Sequence, residues 1–338
     1  MNRRCFLTLV SSGLLAPKAL IADHHVISAD PLVIETDLSS RDRYTPVGDF
    51  YVRDHFDAPA LSAAGSVRIE GEVKHARDFS LDDFAALPER EVGAVLECAG
   101  NRVGATGLVS NGSWAGWRLR DVLASVQPSP RAAYLHLVGS DGYQRSVPFE
   151  RAADAVIATR LNGRPLTRQH GAPWRALFPG WFGMDSVKWL ARMVLARDPL
   201  PPEGNTYLKL QRGASGQIER EALPRLPVKS VITGPLPGAV LRRGPVAIQG
   251  LAWSGAGKIT SVEVSADGGS GWQKAELLPG RDFEWCLWNA SVNLSQRGAV
   301  ELVARARDPE GSQPMERDPS RLDGYANNGC HRVRCVVV

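Results

Sequence analysis

Polar and apolar positions change rhythm several times along the chain. Between residues 66 and 73, Val67, Ile69 and Val73 alternate with Arg68, Glu70 and Glu72, which predicts a strand with one buried face. Ser80, followed three residues later by Asp83, predicts the capped start of a short helix. Residues 92–97 are almost continuously apolar or small and read as a buried strand that ends at Cys98. Leu119, Val122, Leu123 and Val126 recur at helical spacing, so 118–126 is predicted to be an amphipathic helix. A further strand is predicted over 133–139, closed by the turn Ser140-Asp141-Gly142. Residues 24–60 show little periodicity. Residues 170–190 are dense in Gly, Pro and Trp, as expected of chain wrapped closely around something.

The rhythm shifts near 221–229, a linker punctuated by prolines. Beyond it every apolar pattern is strand-like. Val246, Ile248 and Gly250 alternate with their neighbours, Val262 and Val264 flank Glu263, and Val300, Leu302, Ala304 and Ala306 oppose Glu301, Arg305 and Arg307. Short strands separated by turns predict a β-sandwich of immunoglobulin type, with Trp253, Trp272, Trp285 and Trp288 as its aromatic core. The expected fold class is α+β: a first domain over 23–222, then an all-β domain over 228–338.

Composition narrows the classes. The chain has 338 residues, 43% hydrophobic and 22% charged, the balance of a globular protein of about two domains. A net charge of +4 is too slight to argue for a nucleic-acid partner. No run of 18 apolar residues occurs, so no membrane span is expected. The five cysteines are too irregularly spaced for a disulfide scaffold or a zinc site. Residues 1–22 describe an export signal: Arg3 and Arg4, then Phe6, Leu7 and an apolar run to Leu15. The twin arginines suggest the bacterial route for folded proteins into the periplasm, the other reading being an ordinary secretory signal.

Cys98 is the first candidate for chemistry. It leads from a predicted buried strand into a turn where backbone can approach a ligand closely. A thiolate there could bind a soft metal centre or act as a nucleophile; the plain alternative is an inert buried cysteine. Its segment, Leu96-Glu97-Cys98-Ala99-Gly100-Asn101-Arg102, resembles the molybdenum-ligand segment of the sulfite oxidase family. That resemblance implies Cys98 as the one protein ligand to molybdenum. Tyr51-Val52-Arg53-Asp54-His55 resembles the family's Phe-Val-Arg-Asn-His segment, which implies contact with cofactor and substrate. Ser113-Trp114-Ala115-Gly116 is similar to its pocket-tryptophan stretch, with Trp114 as the implied wall. His170 to Arg175, Pro179 to Gly183 and Ser186-Val187-Lys188-Trp189-Leu190 are similar to its pterin-binding signature. Tyr207 resembles its active-site tyrosine. Segments around Trp253, Val262 to Gly269 and Arg305 to Asp308 look like its dimerisation domain, so the resemblance covers about residues 44–338.

The residues agree chemically with what the family implies. Molybdopterin carries a phosphate and a ring rich in donors and acceptors. His55, His170, Arg175 and Lys188 are cationic or donor side chains suited to the phosphate, joined by Ser186 and its backbone. Asp141 in its turn could accept from pterin N–H groups. Arg53 would hold a sulfur oxyanion by paired hydrogen bonds.

Two positions depart from the animal members of the family. Val103 follows Arg102 where they have a second arginine, and Asp323 stands where they have an arginine near the pocket. Both changes would weaken binding of a dianion, unless Arg321 substitutes. The expected function is oxygen-atom transfer at a small sulfur oxyanion such as sulfite. Electrons would pass to an external cytochrome c, because no Cys-x-x-Cys-His haem motif occurs and no haem is expected in this chain. A homodimer through the C-terminal domain is expected. A sulfane dehydrogenase molybdenum subunit and a sulfoxide reductase are alternatives with the same cofactor, separable by assays with sulfite, thiosulfate and methionine sulfoxide. A non-catalytic exported binding protein is the alternative of another class, and metal analysis decides it.

Overall fold

The structure is a computed structural model that describes residues 25–39, 42–60, 65–101, 107–201, 207–281 and 283–338. The export signal, Arg102 and Val103 lie outside the described residues.

Two sheets build the first half of the chain. One runs Arg164–Pro165, Val156–Leu161, Val109–Arg118 and Glu89–Glu97 in spatial order, with Arg175–Leu177 also paired to Val156–Leu161. The other runs Arg77–Phe79, Val67–Gly71, Leu190–Ala196, Tyr134–Gly139 and Gln144–Pro148. A core of Trp117, Ile157, Phe79, Phe84, Leu137 and Met193 fills the space between them. The first sheet is buried on its other face too, against Phe50, Tyr51 and Leu166. That double burial explains the run of apolar and small residues from Val92 to Leu96.

The local expectations near Ser80 hold in detail. The helix Leu81–Ala85 carries a full capping box: the Ser80 hydroxyl accepts from Asp83 N–H, and the Asp83 carboxylate accepts from Ser80 N–H. The expected helix over 118–126 is shorter, Leu119–Ala124, because Gln127 adopts a positive φ of 52° and Pro128 follows. These are the two α-helices among the described residues, so the architecture is mostly β rather than evenly α+β. Residues expected to lack periodicity form a small sheet of His25–Ala29, Leu32–Glu35 and Val52–Arg53. Its third strand delivers Arg53 to the site.

After the linker, two sheets face each other. One orders Lys229–Gly234, Gly244–Trp253, Cys286–Leu294 and Glu276–Leu278; the other orders Val240–Leu241, His331–Val337, Gly298–Arg307, Ser261–Ser265 and Gln273–Lys274. Ile248, Val264, Trp288, Leu302 and Val333 fill the space between them. Of the four tryptophans expected there, Trp288 alone belongs to that core. Trp253 and Trp285 pack instead on the seam between the two halves, with Val95, Val109, Phe182, Met184 and Leu226. Trp272 lies near the surface, with the Arg305 guanidinium 4.0 Å from its ring centre. The seam is also hydrogen-bonded. Val95 N–H donates to Phe283 O at 2.8 Å, and Leu226 N–H donates to Gly180 O at 2.9 Å. The Glu284 carboxylate accepts from the Tyr44 hydroxyl at 2.7 Å. Cys286, Cys330 and Cys335 are buried free thiols.

Gly116 marks a close backbone approach within the first sheet. A methyl group there would overlap the backbone carbonyl oxygen of Ile157 on the neighbouring strand. Gly116→Ala should therefore cost about 1–3 kcal/mol of unfolding free energy in urea titration, by the usual cost of overpacking. Gly311→Ala, which meets no atom within 4 Å, should leave the midpoint unchanged.

Candidate active site

One cavity collects most of the residues singled out in the sequence. Tyr51, Val52, Arg53, His55, Cys98, Asp141, His170, Arg175, Ser186, Val187 and Lys188 line it, together with Tyr207. A second, wider cavity opens to solvent and shares Arg53, Cys98 and Tyr207 with the first. These three residues therefore stand at the junction between an inner pocket and an open mouth.

The chain positions each wall by backbone pairing. Val52 and Arg53 pair with Ile34 and Val33, so Val52 turns inward and Arg53 toward the cavity mouth. The Arg53 guanidinium is oriented by a hydrogen bond from Nη1 to the Asp54 carbonyl. Cys98 leaves its strand into a tight turn: Cys98 N–H donates to Leu108 O at 2.9 Å, and Asn101 N–H donates to Cys98 O at 2.9 Å. Arg175 and Ser186 clamp two segments together. Arg175 Nη2 donates to Ser186 O at 2.7 Å, and Phe178 N–H donates to the Ser186 hydroxyl at 3.1 Å. Gly171, at a positive φ of 98°, lets the Lys188 stem lie across its backbone.

Charge in the inner pocket is unevenly compensated. Lys188 pairs with the Asp54 carboxylate and donates to Gln169 O at 3.1 Å. Burial lowers its ammonium to about 8 against the pull of Asp54. Arg175 is buried and makes its hydrogen bonds to the carbonyls of His170 and Ser186, and its Nε–H has no partner. Among the described residues no carboxylate forms an ion pair with it. Burial brings the guanidinium down to about 10. Burial also raises the Asp141 carboxyl and the Cys98 thiol; Arg53 and the Gly100 N–H pull the thiol back down.

Several expectations change in this geometry. His170 serves as the donor rather than the cation of the two expected roles: burial depresses it to about 4, and its Nε2 pairs with Val47 O at 3.1 Å. It is a neutral donor to the backbone. Trp114 is not among the residues lining the cavity. It stands behind the wall, fully buried, edge-on to Phe50 and 5.2 Å from the Arg175 guanidinium. The Asp54 carboxylate faces Lys188 rather than the mouth. Asp323 does not enter either cavity. Burial pushing its carboxyl up is outweighed by Arg321 and by the N–H groups of Leu210 and Tyr325, which bring it down to about 2. Arg321 Nη2 reaches it at 2.8 Å and Arg317 at 3.3 Å. The expected added negative charge is therefore neutralised within its own loop, and Arg321 is engaged there as well. Tyr325 lines the mouth instead, 5.3 Å from the Tyr207 ring. Tyr143, Gln169 and Tyr325 are wall residues that no motif in the sequence announced.

A buried guanidinium with no ion pair among the described residues, an ammonium and a carboxylate suit an anionic ligand rich in hydrogen-bonding groups. A thiol stands at the edge of that pocket. The residues present thus fit a phosphate-bearing pterin whose metal meets Cys98, the site of a molybdopterin-binding oxidoreductase. Comparison with known proteins agrees. The oxidoreductase molybdopterin binding domain matches residues 55–203, and the Mo-co oxidoreductase dimerisation domain matches 220–337. Sulfite oxidase of Gallus gallus is 32% identical over 85% of this chain and 72% of its own length. Mitochondrial sulfite oxidase of Drosophila melanogaster is also 32% identical, over 87% of this chain but 60% of its own. The solved sulfane dehydrogenase SoxCD of Paracoccus pantotrophus superposes with a TM-score of 0.81 at 28% identity, covering 91% of this chain and 85% of that one. The chain belongs to the sulfite oxidase family.

The neutral His170 gives a pH signature. Its folded pKa lies below that of an exposed histidine, so unfolding takes up a proton once pH falls below about 6.5. Its stabilising contribution is present above that pH and is lost progressively toward pH 4. In His170→Asn, the loss of unfolding free energy between pH 7 and 4.5 should shrink by on the order of 2 kcal/mol.

Proposed function

We propose that this chain oxidises a small sulfur oxyanion such as sulfite, with a molybdenum–molybdopterin cofactor and an external protein of cytochrome c type as electron acceptor. The observation that carries the reading is the junction at Arg53, Cys98 and Tyr207, between a charged inner pocket and an open mouth. Bound there, the cofactor would supply the two-electron centre for oxygen-atom transfer. The net conversion takes sulfite and water to sulfate, two protons and two electrons.

The protein's own part is binding and orientation. The Cys98 thiolate would hold the metal. Arg175, Lys188 and the Ser186 segment would hold the phosphate, while Asp141 accepts from pterin N–H groups. An incoming anion raises the proton affinity of Lys188, whose ammonium is otherwise destabilised by burial. On the mouth side, the Arg53 guanidinium holds the substrate oxyanion. Tyr207, kept protonated by burial, donates from its hydroxyl. Because Asp323 is neutralised away from the mouth, it does not oppose an anion there.

The likeness to a sulfane dehydrogenase favours a second reading, oxidation of a more reduced sulfur centre at the same site. In both readings the C-terminal sandwich is of immunoglobulin type and pairs two copies of the chain. Residues 1–22 direct the folded protein to the periplasm.

Protein from molybdenum-replete cells should reduce ferricyanide in the presence of sulfite, and faster than with thiosulfate. No turnover of either, together with reduction of methionine sulfoxide by a chemical donor, would replace this reading with a reductase. Cys98→Ser should lose turnover. Arg53→Gln should keep its molybdenum while kcat/KM for sulfite falls about 10- to 100-fold, mostly through KM, as expected for loss of a charge-assisted anion contact.

A further inference from the structure

Glu97 is the residue before Cys98, and its side chain points away from the cavity, into the seam between the two halves of the chain. It is buried, 2% exposed. Its carboxylate is nevertheless fully engaged. Oε1 accepts from Lys229 Nζ at 2.7 Å and from Asn101 Nδ2 at 2.9 Å. Oε2 accepts from Trp253 Nε1 at 2.8 Å. Lys229 is as deeply buried as Glu97 and is its charge partner.

Two of these donors, Lys229 and Trp253, lie opposite each other on paired strands of the C-terminal half. The third, Asn101, closes the Cys98 turn: its N–H donates to Cys98 O, and its Oδ1 accepts from Leu108 N–H at 3.3 Å. Ala326 of the C-terminal half adds a further tie, donating its N–H to Ala99 O at 2.8 Å. The turn that carries the thiol is thus gripped on both sides of Cys98 by groups beyond the linker. A charged hydrogen bond buried this deeply has a narrow geometry and resists displacement.

We propose that Lys229 and Trp253 are positioning residues for Cys98: through the Glu97 carboxylate, the C-terminal half sets where the Cys98 sulfur stands in the cofactor pocket. The inference rests on Cys98 being the metal ligand. It gives the C-terminal half a part in the metal site separate from pairing two chains. A carboxylate joined to an adjacent ligand acts as outer-shell support for that ligand, and loss of such support typically costs 10- to 100-fold in metal affinity or activity.

The test uses the molybdenum-loaded full chain. Lys229→Met leaves a buried carboxylate unpaired and could fail to fold. Two companions avoid that: Trp253→Phe, which removes one hydrogen bond, and the double variant Glu97→Leu with Lys229→Met, which removes both charges at similar volume. The control is Glu284→Gln, at the other buried carboxylate on the seam, which accepts from Tyr44 and not from the Cys98 turn. The readouts are the electron paramagnetic resonance spectrum of the one-electron-reduced metal, molybdenum content, melting temperature and kcat. In Trp253→Phe and the double variant, the spectrum should shift and kcat fall about tenfold with molybdenum content near the parent's. Glu284→Gln should change melting temperature alone. Lys229→Arg should restore the parent spectrum at least in part. An unshifted spectrum in both companions, or an equal shift in Glu284→Gln, overturns the proposal. If Cys98→Ser keeps the parent's turnover and spectrum, it is the metal-ligand assignment that fails.

Discussion

Charge taken out of water must find a partner, and the inner pocket is organised around one guanidinium that forms no ion pair among the described residues. Arg175 is buried in the cavity wall and, among the described residues, donates only to carbonyl oxygens. A buried cation in that condition is costly unless an anion completes it. The segments about it follow from this constraint. Ser186 and His170 present their carbonyls to it, and Phe50 and Trp114 exclude water behind it. His170 stays neutral and adds no further repulsion. Lys188 is treated differently, with Asp54 as a resident counter-ion. The pocket thus keeps one cation compensated and leaves the other for its ligand.

The mouth follows another logic. Arg53 is exposed at the end of a two-residue strand, where its head can swing onto a substrate without leaving an apolar core. Tyr207 and Tyr325 narrow the opening. The acidic residue that ought to repel an anion is held by Arg321, Arg317 and two backbone N–H groups. A sequence departure that looks like lost positive charge is, in three dimensions, a loop that neutralises itself and brings Tyr325 to the opening.

Parts of the fold governed by local physics were legible in the sequence. The Ser80 capping box and the alternation from Val67 to Gly71 need only neighbouring residues. Strand Val109–Arg118 was not legible, since Ser110, Asn111 and Ser113 make it look solvent-facing. Their partners are distant in sequence: Thr36 and Tyr51 for Ser110, Arg43 and Thr45 for Asn111, and Glu91 for Ser113. The tryptophans of the last hundred residues were misassigned for a similar reason. Hydrophobicity says that Trp253 and Trp285 are buried, but not that they are buried against the other half. In the site, the cavity gathers most of the residues found by resemblance, among them Cys98, Arg53 and Lys188. Tyr143 and Tyr325 carried no local signal because only tertiary packing brings them to the wall.

The seam itself has a consequence for how such proteins can change over evolutionary time. Its apolar side is shared by Val95, Phe182, Trp253 and Trp285, and the buried ion pair beside the thiol is divided, the acid supplied by the first half and the base by the second. A recombination event that exchanged the C-terminal half for an unrelated sandwich would strand Glu97 beside the thiol and uncover a tryptophan-rich face. The two halves are therefore constrained to be inherited together, as one unit of descent.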